Sequence, residues 1–99
     1  MNTNITKAKV KVEFYASMRE VFQEKHREVE LEKPSNIRGV LNLLCNTYEQ
    51  RHRIFDNSGQ IRSDVNILKN GRHIKFLDSI ETELKEGDVI SIFPLIYGG

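Results

Sequence analysis

The chain closes on Pro94-Leu95-Ile96-Tyr97-Gly98-Gly99, and the paired glycines frame the chemistry it could do. A carboxylate on Gly99 is a poor acyl donor until one oxygen becomes a good leaving group, and making it one requires entry into another protein's active site. Gly98 and Gly99 carry no Cβ, so the segment is thin enough for a narrow cleft and accepts any φ. Such an arm reaches at most ~20 Å, at ~3.3 Å per residue. The paired glycines suit a Gly99 that is activated, with Gly98 and Tyr97 at its approach and positions 94–99 as a flexible tail; coincidence is the other reading.

Residues just ahead of the glycines bear on docking. If Ile90 and Ile92 point into a core, a strand's period of two places Val89, Ser91 and Phe93 on the opposite face. An exposed Phe93 beside the tail is a natural anchor for a partner, the other reading being packing against a loop on the outer face. Pro94 cannot donate to a sheet ladder, so it is expected to end the strand and release the tail. Leu95 and Ile96 are apolar in a segment expected to be free of the core, and contact a partner or fold back on the sheet.

Other chemistry finds little support. Cys45 falls on an apolar stripe, as a buried inert thiol would. His26, His52 and His73 lack ligand spacing, so no metal is expected. Arg51, His52, Arg53, Lys69, Arg72, His73 and Lys75 are either a solvated charged face or a patch for an acidic partner.

A chain of 99 residues makes one domain, and its net charge of +1 gives no reason to expect nucleic acid or a membrane as partner. The single cysteine excludes an internal disulfide and fits a reducing compartment. No apolar run approaches the ~20 residues of a membrane span. Residues 1–8 are polar, without the apolar core of a signal peptide, and are expected to be a disordered lead-in to a domain at 9–93. A cytoplasmic protein, monomeric when free, is the resulting expectation.

The elements that must position the C-terminus follow from periodicity. Lys9 to Phe14 alternates, with Val10, Val12 and Phe14 on one face, and Glu28 to Glu32 alternates around Val29 and Leu31. Together they predict an antiparallel hairpin, with Val21 and Phe22 packing from a brief helical turn between them. Ser35 or Asn36 can cap a helix whose stripe is Ile37, Val40, Leu41, Leu44, Cys45 and Tyr48, ending near Arg51. Gly39 inside it suggests close approach of helix and sheet. Ile54 to Ser63 reads as a loop around Asp56-Asn57-Ser58-Gly59. Asp64 to Lys69 and Arg72 to Phe76 read as a second hairpin closed by Asn70-Gly71. Glu86-Gly87-Asp88 turns into the last strand, Val89 to Phe93, expected beside the first at the sheet's centre.

Val65-Asn66-Ile67-Leu68-Lys69-Asn70-Gly71, Glu81-Thr82-Glu83-Leu84, the run from Glu86 to Pro94 and Gly98-Gly99 resemble the molybdopterin synthase small subunit and its relatives. Those relatives include thiamine-pathway sulfur carriers, ubiquitin-related modifiers and, closest in character, the small archaeal modifier proteins. The resemblance covers Val10 to Gly99. It implies an α+β, ubiquitin-like β-grasp fold: a mixed sheet of four to five strands with one main helix on one face. It further implies a carrier or tag rather than an enzyme, with no cofactor bound. A ubiquitin-activating-type enzyme would use ATP to adenylate Gly99. Sulfur would then give a thiocarboxylate for the molybdopterin synthase large subunit or for tRNA thiolation, or a thiol would lead on to an isopeptide bond with a target lysine. A β-grasp module that binds partners without covalent chemistry is the remaining reading.

Overall fold

The computed structural model describes residues 7–95. Strand β1 (Lys7–Phe14) alternates as its sequence does, with Ala8, Val10, Val12 and Phe14 all but sealed from solvent. It begins at Lys7, inside the expected lead-in, because Ala8 adds one more buried position and Lys7 and Ala8 pair with Glu32 and Leu31. The antiparallel partner is β2 (His26–Glu32). Their connection holds a short helix, α1 (Met18–Phe22), whose Phe22 ring stacks on Phe14 at 4.7 Å. The predicted hairpin and its helical turn are both present.

The predicted single helix is instead two, α2 (Ile37–Leu44) and α3 (Tyr48–Ile54). Thr47 interrupts it. Its hydroxyl accepts the Gln50 N–H at 3.1 Å, while the Gln50 side-chain oxygen accepts the N–H groups of Thr47 and Asn46 at 3.2 and 2.8 Å. This reciprocal box satisfies the orphan donors of a new helix start and redirects the chain. The apolar stripe therefore holds through Ile37, Val40, Leu41, Leu44 and Cys45 but fails at Tyr48, which is 75% exposed. Asn36 is the N-cap of α2, its side chain accepting the Gly39 N–H at 3.0 Å. The crowding at Gly39 comes from the residue before that cap, not from the sheet: a Cβ there would stand 2.7 Å from the Ser35 hydroxyl oxygen, which would have to turn away.

Residues 35–36 also form strand β3 (Ser35–Asn36), which pairs with β6 (Glu83–Leu84) in a small second sheet. Between α3 and β4 (Val65–Lys69), the Asp56 carboxylate accepts N–H bonds from Ser58 and Gln60, and Phe55 bridges to Ile61. Asn70 and Gly71 turn through φ of 51° and 85°, the left-handed pair that an Asn-Gly hairpin demands. The returning strand β5 is only Arg72–His73. Beyond it the His73 ring nitrogen Nδ1 accepts the Lys75 N–H at 3.1 Å and a 3-10 turn, Ile74–Phe76, replaces the predicted strand. Ile74 is buried as expected, whereas Phe76 is turned out to solvent.

The last strand, β7 (Val89–Pro94), lies parallel to β1 and antiparallel to β4, giving the order β2-β1-β7-β4-β5. Helical and strand side chains share one apolar core that includes Phe14, Leu41, Leu44, Ile54, Ile67, Ile90 and Ile92. A mixed five-stranded sheet, covered on one face and with first and last strands adjacent and parallel at its middle, is the β-grasp arrangement.

Candidate functional site

Strand β7 carries both the core and the site. Ile90 and Ile92 are fully buried, and Val89, Ser91 and Phe93 are half-buried on the uncovered face, as the period of two requires. Phe93 is braced there by Tyr15, the residue that follows β1, with ring centroids 6.4 Å apart and nearly perpendicular. Tyr15 is itself held at both ends. Its N–H donates to the Ile92 carbonyl at 3.0 Å and its hydroxyl donates to Glu13 Oε1 at 2.7 Å. That hydrogen bond lowers the Glu13 carboxyl below its ordinary range and raises the Tyr15 phenol above its own. The Arg19 guanidinium stands 5.7 Å over the Tyr15 ring. Tyr15, Ala16, Leu68, Ser91 and Phe93 line a shallow, mostly apolar depression of about 340 Å³. Phe93 is thus both packed and presented.

The root of the tail differs from expectation. Pro94 does not release the chain: it stays in register with Val65, and the Leu95 N–H donates to the Asp64 carbonyl at 2.8 Å. The reason lies in the alternation of an antiparallel ladder. The Leu95 N–H faces β4, so the nitrogen of Pro94 faces the β1 side, where pairing has already ended with Tyr15. Its missing donor leaves the β4 ladder intact. Leu95 is 40% exposed. Ile96, Tyr97, Gly98 and Gly99 lie outside the described residues.

Asp64 is bound from two sides. Arg62 meets its carboxylate twice, at 3.0 and 3.2 Å, and Arg53 Nη1 stands 3.5 Å away. The Arg62 bonds, with the Arg53 charge behind them, hold the Asp64 carboxyl below the usual range.

Other candidates stay apart. Cys45 is buried on the core side, and burial pushes its thiol up to about 11, so the inert reading stands. His52 stacks on Tyr48, and His73 Nε2 lies 3.1 Å from Asn66 Oδ1. No group of three or more His, Cys, Asp or Glu among the described residues is arranged to hold a metal. Among the basic residues, Arg53 and Lys69 pair with Asp64 and Asp88.

Tyr15, Ala16, Leu68, Arg62 and Asp64 were not among the predicted site residues. Tyr15 had a signal: once the first and last strands run parallel side by side, an aromatic at the end of each must meet. Asp64 had none, because its role depends on strand register.

A sheet with one bare face, whose central strand leads directly into a segment bearing Gly98-Gly99, defines a small ubiquitin-like β-grasp protein. The chain belongs to the ThiS family, whose profile matches residues 12–99. It is 32% identical over 90 residues to small archaeal modifier protein 3 of Haloferax volcanii, covering 91% of this chain and 98% of that one. It is 29% identical over 72 residues to a candidate sulfur carrier protein of Archaeoglobus fulgidus, covering 73% of this chain and 82% of that one. The solution structure of small archaeal modifier protein 1 from Methanosarcina acetivorans superposes with a TM-score of 0.78 at 30% identity, covering 95% of this chain and 99% of that one.

Proposed function

We propose that the chain is a carrier whose Gly99 carboxylate is the reacting group, worked on by a ubiquitin-activating-type enzyme. The carboxylate attacks ATP, pyrophosphate leaves, and the resulting acyl-adenylate is attacked by hydrosulfide, which loses its proton as AMP leaves. The product is a thiocarboxylate that delivers sulfur to molybdopterin, through the synthase large subunit, or to tRNA. ATP belongs to the activating enzyme, and this chain supplies no catalytic group of its own.

The observation that carries this reading is the continuity of β7, which places a half-exposed Phe93 and its apolar depression next to the residues leading to Gly99. A partner seated on Phe93, Tyr15 and Leu68 holds the base of the segment while its own cleft receives Gly98 and Gly99, with Leu95 and Ile96 as contacts between. Tyr97 then limits which clefts admit the tail. The family match extending through Gly99 supports the same assignment.

The likeness to small archaeal modifier protein 3 favours a second fate for the same activated residue, conjugation to target lysines. Intact mass of the protein from its native cell tests the first. A replacement of one oxygen by sulfur, lost when Gly99 is deleted, is the expected result; a carboxylate alone, in cells making the sulfurated product, contradicts it. Diglycine remnants on lysines of other proteins mark the second.

A further inference from the structure

We infer that Asp64, held by Arg62 and Arg53, is a clamp that fixes the backbone at Leu95, the residue from which the chain continues toward Gly99. The connection is physical and continuous. Arg62 hangs from the end of α3: its N–H donates to the Ile54 carbonyl at 2.8 Å and its Nη1 to the His52 carbonyl at 3.2 Å, a helix-end acceptor with no partner within the helix. Its guanidinium then forks onto both oxygens of Asp64, a planar pairing that sets orientation as well as distance. The Val65 N–H donates back to the Arg62 carbonyl at 3.1 Å, closing the turn. From the residue so held, the Asp64 carbonyl takes the N–H of Leu95.

Arg53 adds the second restraint. Its Nη1 is shut off from solvent and has no hydrogen-bond partner, and the Asp64 carboxylate stands 3.5 Å from it as counter-charge, with the side chain as a whole 24% exposed. The carboxylate is therefore held from two directions, by side chains from α3 and from the turn before β4.

The consequence rests on the carrier reading proposed above. Every residue that is already fixed before the partner's cleft closes is one whose ordering the activation step need not supply, at about a five- to thirtyfold rate effect per backbone residue. Leu95 is the last of the described residues, and the bond to Asp64 ties it to the turn before β4. Asp64 and Arg62 are positioning residues: they act through the Leu95 backbone and touch no reacting atom.

The test uses the full chain with Asp64→Asn, which keeps the side-chain shape, and with Arg62→Gln, which spares the charge opposite Arg53. Amide hydrogen exchange by NMR reads the clamp in the free protein. Exchange at Leu95 should rise about tenfold in both variants while Ile90 and Ile92 amides stay protected. With a ubiquitin-activating-type enzyme and ATP, kcat for adenylation should fall about tenfold with KM unchanged, since the Phe93 face is intact. Unchanged exchange at Leu95 overturns the clamp, and faster exchange with unchanged kcat overturns its positioning role. No adenylation of the wild-type chain counts against the carrier reading instead, and the exchange result still decides the clamp.

Discussion

The two faces of strand β7 are made by neighbouring residues and do opposite jobs. Ile90 and Ile92 are sealed in the core, whereas Ser91 and Phe93, one residue away, stand half-open over a shallow apolar depression. The inner face determines whether the protein folds. The outer face spends little of that stability, and so is free to serve a partner. The difference teaches that the site is supported by the core through a single strand, and that the two roles can be separated by substitution.

The sharpest way to separate them is Ile92→Ala. Removing a fully buried branched side chain between β1 and β4 should cost about 2–5 kcal/mol, read from denaturant unfolding. Phe93→Ala should behave differently, with roughly 1 kcal/mol lost from folding and about a tenfold loss in adenylation efficiency, carried by KM. If Phe93→Ala unfolds the protein as Ile92→Ala does, the division of the strand fails.

Thr47→Ala sharpens the same contrast from the covered side. Loss of the capping box should cost about 1 kcal/mol in thermal or denaturant unfolding and leave adenylation of the folded protein unchanged. The Cys45 thiol, pushed up to about 11 by burial, should resist alkylation at pH 8 in the native protein and react promptly in denaturant. Smallest of all is the acid limb. Asp64 sits below its ordinary value of 3.8, so the stability its carboxylate contributes is fully present above that value and is lost as pH falls through the lower folded one. The melting temperature should fall below about pH 4, and less so in Asp64→Asn, after a smaller decline below pH 6.5 from His73, whose imidazole burial holds below its ordinary value.

Much of this was legible in the chain because it depends on period and turn chemistry. Alternation in Lys9 to Phe14 and Glu28 to Glu32 marked strands with one wet face, and Asn70-Gly71 marked its hairpin. The orientation of Phe93 followed from counting by twos. What was not legible depends on competition between local signals. The stripe from Ile37 to Tyr48 reads as one helix, yet the Thr47–Gln50 box outcompetes its last turn. Phe76 continues an apolar alternation, yet the His73 side chain turns the backbone first. The hold on Leu95 required the register of two strands distant in sequence, which no window of residues contains.

The central claim is that Gly99 is the reacting residue. ATP–pyrophosphate exchange with a ubiquitin-activating-type enzyme, comparing the full chain with one lacking only Gly99, tests it most directly. The account predicts exchange that saturates with the full chain and is absent without Gly99, while both fold with the same melting temperature. Equal exchange with both chains, or none with either when the enzyme is active on a related carrier, would contradict it.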